Sequence, residues 1–94
     1  MSEMNEHHAI VHNRIFQEIR EERRRQTEKF GPMDNTPSTW AVILGEEVGE
    51  VCRAILDARA LLNTGSQTNY REELIQVAAV AVAAIANLDM QGPI

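Results

Sequence analysis

The stretch that most constrains the fold is LIQVAAVAVAAIA, residues 74–86, in which Gln76 is the one polar side chain. Its length and its alanines favour a helix over a strand, although valine is β-branched. A helix that is apolar around its whole circumference is buried on every side. Two further helices in a chain of 94 residues can hardly cover it, so we predict a helical bundle completed by a second copy of the chain.

Two loops rich in glycine, proline and small polar residues divide the chain. They are GPMDNTP, residues 31–37, and NTGSQTN, residues 63–69. Thr36 followed by Pro37 has the pattern of a helix N-cap and first helical position. We therefore predict one all-α domain over residues 1–94, with a frayed N-terminus at residues 1–8 and helices at about residues 8–29, 37–62 and 69–88.

Charge and cysteine content narrow the class of protein. The net charge of −5 argues against a nucleic-acid binder. Cys52 is the single cysteine, which excludes an internal disulfide and suits a reducing compartment. The N-terminal residues are polar and lack a signal-peptide pattern, and the apolar run at 74–86 is too short to span a bilayer. We expect a cytoplasmic protein without a membrane segment.

The second predicted helix contains two glycines within an otherwise apolar stripe. Gly45 and Gly49 each cost roughly 1 kcal/mol relative to alanine in a helix interior. Such residues are useful where another helix or a ligand approaches the backbone closely.

A cluster of glutamates lies in the same helix, within LGEEVGEVCR, residues 44–53. Positions i, i+3 and i+4 share a helix face, so these carboxylates repel each other. They either face water or border the apolar stripe, and the apolar neighbours of Glu47 favour the second arrangement. A carboxylate cluster beside a core is stabilised by a cation, and oxygen ligands suit Mg²⁺ or Mn²⁺ rather than zinc. The three glutamates are Glu46, Glu47 and Glu50.

A second polar pair, Glu73 and Gln76, opens the third predicted helix at i,i+3 spacing. If the two helices form a hairpin with arms of equal length, Glu73 is level with about Arg59, roughly two turns from Glu50. The spacing leaves two arrangements open: an offset within one chain, or a meeting across an oligomer interface. A ferritin-like di-iron site would require Glu-x-x-His pairs, which neither motif contains.

Three segments in order, ERRRQTEKFG, WAVILGEEVGE and YREELIQVAAVAVAAI, resemble the MazG-like branch of the all-α nucleoside triphosphate pyrophosphohydrolases. The resemblance covers roughly residues 15–88. The family signature is EExxE followed by ExxD on the next helix. Residues 46–50 match its first half and Glu73 begins its second half, but Gln76 stands where the family has aspartate.

The resemblance implies a helical bundle built by dimers or tetramers that hydrolyses a nucleoside triphosphate to the monophosphate and pyrophosphate with Mg²⁺. We expect such an activity to clear non-standard or excess (deoxy)nucleotides. It assigns Glu47, Glu50 and Glu73 as metal ligands, with Glu46 as a further ligand or the group that orients or deprotonates water. Gln76 could ligate through its amide oxygen, but it removes one negative charge from the site.

Further candidates are residues that could contact the substrate. Arg24, Arg25 and Lys29 are predicted to contact phosphates, although a solvated charged turn is the alternative. Trp40 could stack on a nucleobase, or it could fill the core at the start of the second helix. A competing hypothesis for the whole chain is a helical oligomerisation or partner-binding module without turnover.

Overall fold

A computed structural model describes residues 3–61 and 66–91. Within these ranges the chain forms three helices and no strand, which confirms the predicted all-α class. The helices are α1 (Glu3–Phe30), α2 (Pro37–Leu61) and α3 (Ser66–Met90).

Two helices begin earlier than predicted. α1 starts at Glu3 rather than near His8, and acidic residues such as Glu3 and Glu6 are favourable at the positive end of a helix dipole. α3 starts at Ser66, so the second half of the predicted 63–69 loop is helical. Small polar residues suit the beginning of a helix as well as a turn. The remainder of that predicted loop, residues 63–65, lies outside the described residues.

Both ends of the loop between α1 and α2 are fixed by capping interactions. Gly31 has a φ of +75° and its N–H donates to the carbonyl of Thr27 at 2.7 Å, which closes the C-terminus of α1. Thr36 Oγ1 accepts from the N–H of Thr39 at 3.3 Å, and its carbonyl accepts from the N–H of Trp40 at 3.0 Å. The predicted N-cap at Thr36 is thereby confirmed.

α3 is the central helix of the described chain. It packs against α2 and against α1, whereas α1 and α2 do not contact each other within the described ranges. The buried apolar residues of this arrangement are Trp40, Ala54, Ala79 and Val80, and Ala79 is fully excluded from solvent. The absence of α1–α2 packing leaves a cleft between these two helices, with α3 as its floor.

A polar network holds the α1–α2 loop against the end of α3. Asn87 Oδ1 accepts from Trp40 Nε1 at 2.8 Å and from the N–H of Asn35 at 2.9 Å. Asn87 Nδ2 and Gln91 Nε2 donate to Asp34 Oδ1 at 3.1 and 3.2 Å, and these bonds lower the pKa of Asp34. The network fixes the first turn of α2, which precedes the glutamate cluster.

α3 is unusually apolar for a helix with so little cover. The stretch Asn69–Met90 is long and apolar enough to cross a membrane by length and composition, and 17% of it is buried. Core helices of soluble proteins pass the same test. α3 does contact two other helices, and its first turns carry an ion pair between Arg71 and Glu18 of α1, with Nη1–Oε1 at 2.8 Å.

Candidate metal centre and adjoining cleft

Three glutamates from two helices converge at one point. Glu47 and Glu50 project from α2 and Glu73 from α3, and each offers a carboxylate oxygen within 4.8 Å of the others. Glu47 and Glu73 are half-buried, while Glu50 is exposed. The two acidic motifs therefore meet within a single chain, and no second copy is needed to bring them together.

The α2–α3 hairpin has arms of unequal length, which is why counting equal distances from the loop gave the wrong neighbour for Glu73. Glu50 lies eleven residues before the end of α2, whereas Glu73 lies seven residues after the start of α3. At 1.5 Å per residue, the two arms differ by about 6 Å. The equal-arm assumption placed Glu73 beside Arg59, while the structure places it beside Glu47 and Glu50.

Gln76 also faces this cluster. With its amide nitrogen directed at the carboxylates, Nε2 donates to Glu47 Oε2 at 3.1 Å and to Glu73 Oε2 at 3.3 Å. The amide thereby offsets some of the repulsion between the two acids. A half-turn of the same group would direct Oε1 into the cluster, where it is a suitable ligand for Mg²⁺.

Among the described residues, no positive charge lowers the pKa of Glu47 or Glu73. Burial raises the pKa of Glu47, and nearby acids raise it further. Burial likewise raises the pKa of Glu73, followed by its hydrogen bond with Glu50 and by neighbouring charges. The acids that act on them are Glu50, Glu22 and Glu46 around Glu47, and Glu50, Glu47 and Glu72 around Glu73. A divalent cation is the chemical species that would reverse this repulsion.

The raised pKa values predict how the metal-free protein responds to pH. Because the pKa values of Glu47 and Glu73 are higher in the folded chain than in the unfolded one, the folded chain binds protons more tightly, and stability should increase as pH falls from neutral toward the ordinary glutamate pKa of 4.5. Thermal unfolding in a chelator, followed by circular dichroism, measures this trend. Glu47→Gln should reduce the dependence of the melting temperature on pH. A wild-type melting temperature that stays constant or falls across this window contradicts the prediction.

Glu46 occupies a different position. It precedes Glu47 on α2, but its side chain is exposed and does not belong to the group of three. The structure brings together Glu47, Glu50, Glu73 and Gln76 of the predicted site, and it leaves Glu46 at the rim.

A cleft of about 610 Å³ opens beside the cluster, between α1 and α2. This volume lies within the usual range for small-molecule sites. Glu47 belongs to both the cleft and the cluster, so a ligand in the cleft lies next to the candidate metal position. The cleft is mostly apolar, and its lining includes Arg23, Gln26 and Phe30 from α1, Trp40, Ile43 and Glu47 from α2, and Val80, Ala83 and Ala86 from α3.

The predicted substrate-binding residues differ in their relation to this cleft. Trp40 lines it, but the indole is only 7% exposed and its N–H is bonded to Asn87. Arg24 is exposed and does not line the cleft. Arg25 is paired with Glu22, with Nη2–Oε1 at 2.6 Å. Lys29 Nζ lies 5.1 Å from the ring centre of Phe30.

One residue of the cleft was missed in the sequence. Arg23 is half-buried in the cleft wall, and within the described residues it forms no ion pair. Its Nε is buried without a hydrogen-bond partner. The i, i+3 and i+7 spacing of Arg23, Gln26 and Phe30 could have identified this face of α1, because it places all three on one side of the helix.

Comparison with known proteins yields no match: no family model, no curated protein and no solved structure is significantly similar to the chain. The resemblance to MazG-like pyrophosphohydrolases therefore rests on the quoted motifs.

Proposed function

We propose that this protein is a metal-dependent nucleoside triphosphate pyrophosphohydrolase of the MazG-like type, which converts a (d)NTP and water into a (d)NMP and pyrophosphate. The observation that carries the proposal is the convergence of Glu47, Glu50 and Glu73 beside a cleft of ligand size. These three carboxylates and the Gln76 amide form an oxygen-rich donor set that fits Mg²⁺, with Mn²⁺ as a substitute.

The glutamates of the site have different roles in the proposed reaction. Glu47, Glu50 and Glu73 hold the cation. A Mg²⁺ ion held by these residues would supply positive charge against the triphosphate and make the attacking water more acidic. Glu46, at the exposed rim, orients that water or accepts its proton. The bond that breaks joins the α- and β-phosphates, and water supplies the oxygen and protons that the two products require.

The cleft receives the nucleoside, and Arg23 supplies its positive charge. Its guanidinium has no carboxylate partner among the described residues, so it is available to a phosphate or to a carbonyl oxygen of the base. The apolar lining around it suits the flat faces of a base and sugar. Substrate preference for particular non-standard nucleotides would then depend on Arg23 and its neighbours on α1.

Arg23→Met provides a direct test of this role, because methionine retains the apolar stem without the charge. We expect KM to rise about 10- to 100-fold with little change in kcat, as for the loss of a hydrogen bond to a charged group. Pyrophosphate release measured against nucleotide concentration gives both constants. The matched control is Arg24→Met, which alters an exposed residue outside the cleft. A larger rise in KM for Arg24→Met than for Arg23→Met would assign phosphate binding to Arg24.

A nucleotide panel tests the proposed activity itself. The protein is incubated with each nucleoside triphosphate and either Mg²⁺ or Mn²⁺, and pyrophosphate is measured. We expect release from at least one nucleotide. If no nucleotide gives release above that of a Glu50→Gln variant with either metal, the enzymatic proposal is wrong.

A second candidate is a helical oligomerisation or partner-binding module that retains the fold without turnover. Gln76 favours it, because the amide already donates to two of the acids and brings one negative charge fewer than the family's aspartate. This candidate predicts normal assembly without any thermal shift on addition of Mg²⁺ or Mn²⁺. Under either candidate we propose a cytoplasmic homo-oligomer, dimer or tetramer, that binds neither nucleic acid nor membrane.

A further inference from the structure

The face of α2 opposite the buried Trp40 and Ala54 is apolar and has no partner within the described chain. Val42 is 62% exposed and Leu56 is 63% exposed. Val48 and Ile55 are also large apolar residues with 40% or more of their surface in solvent. We call this surface, residues 42, 45, 48, 49, 52, 55 and 56, the outer face of α2.

Two glycines lie at the centre of the outer face. A Cβ atom added at Gly45 or at Gly49 would meet nothing within 4 Å. Neither glycine is therefore explained by any contact within one chain, although each weakens the helix relative to alanine. The positions 42, 45, 49, 52 and 56 are separated alternately by three and four residues, which is the spacing of a seam between two helices.

The chain exposes more surface to solvent than a compact monomer of the same mass. The chain exposes 7428 Å², whereas a folded monomer of 10.6 kDa exposes about 5,500 Å². Its radius of gyration is 15.9 Å, compared with about 12 Å for a compact chain of this length. This excess of about 1,900 Å² belongs to all three helices, because exposed large apolar residues also lie on α1 and α3, and it is as large as one side of an obligate homodimer interface.

We propose that α2 of a second copy covers this outer face in a two-fold arrangement, with the two helices crossing at the segment from Gly45 to Gly49. A two-fold contact needs one self-complementary patch, which a mixed surface of glycines and large apolar residues provides. The glycines allow the two backbones to approach closely, while the flanking side chains interlock around them. The inference rests on the homo-oligomer part of the proposed function and does not depend on catalysis.

Alanine substitution tests the crossing, because an isolated chain and a dimer predict opposite changes in the melting temperature. If the glycines face only solvent, Gly45→Ala combined with Gly49→Ala strengthens α2 and raises the melting temperature. If the helices cross there, the added methyl groups separate them, and the melting temperature falls while the dimer dissociation constant rises at least about tenfold. Calorimetry and analytical ultracentrifugation of the full chain measure both quantities.

A second pair of variants covers the case in which the double variant fails to fold. Leu56→Lys alters an exposed side chain on the outer face, and Asp57→Lys alters its exposed neighbour off that face. We expect the first to weaken dimerisation at least about tenfold and the second to leave it unchanged. A wild-type monomer at micromolar concentration would overturn both this inference and the homo-oligomer proposal, without bearing on pyrophosphate release. A dimer whose dissociation constant is unchanged by all these substitutions would overturn only the assignment of the interface to the outer face of α2.

Discussion

Replacing Glu50 by glutamine is expected to lower metal-dependent pyrophosphate release by about 100-fold or more. The carboxylate lies within 4.8 Å of those of Glu47 and Glu73, so the substitution removes one of three charges that attract the cation. Glutamine keeps the length of the side chain, and Glu50 is exposed, so the fold should be unaffected. Initial rates at saturating Mg²⁺, together with the thermal shift on metal addition, measure the effect.

Glu46→Gln is the matched comparison, because Glu46 lies on the same helix but outside the group of three. We expect this variant to retain the metal-induced thermal shift and to lose turnover, as for a residue that orients or deprotonates water. Equal loss of the thermal shift in both variants would make Glu46 a metal ligand. Full activity in Glu50→Gln would contradict the proposed metal centre.

Trp40→Ala is expected to reduce the free energy of unfolding by about 3–5 kcal/mol, which is most of the stability of a small domain. The indole is the largest buried side chain among the few that form the core, and its N–H bonds to Asn87. Removing it leaves a cavity in the first turn of α2, beside the loop that Asn87 also fixes. Urea denaturation followed by circular dichroism measures the change.

Trp40→Phe separates packing from substrate contact. It keeps an aromatic ring but removes the indole N–H and one of the two fused rings, while Asn87 Oδ1 still accepts from the N–H of Asn35. A cost smaller than that of Trp40→Ala with an unchanged KM supports the core role. A raised KM at unchanged stability would instead support stacking on the nucleobase, the alternative left open by the sequence.

Local sequence signals were sufficient to predict three helices and the start of α2, although α1 and α3 begin earlier than predicted. Thr36 and Pro37 define the start of α2 because capping depends on adjacent residues, and Gly31 ends α1 for the same reason. The glutamates that share a helix face could also be identified, because helical periodicity fixes the relation between Glu47 and Glu50.

Contacts between helices were harder to predict. The position of Glu73 beside Glu47 depends on the unequal arms of the α2–α3 hairpin, which no local pattern encodes. Arg23 was missed because charge alone does not separate three consecutive arginines, whereas the helical spacing of Arg23 with Gln26 and Phe30 does. Arg24 faces solvent, Arg25 pairs with Glu22, and Arg23 enters the cleft.

The central position of α3 has a consequence for how such a protein can diversify. Every residue of the glutamate cluster belongs to α2 or α3, while one wall of the cleft belongs to α1, which among the described residues packs against α3 and reaches the cluster only through the charge of Glu22. Substitutions on the cleft-facing side of α1 can therefore accumulate without displacing the cluster. Under the proposed function, α1 contributes to the choice of ligand, while α2 and α3 carry the residues for bond cleavage. Changes in the first thirty residues would then adapt one catalytic site to different nucleotides.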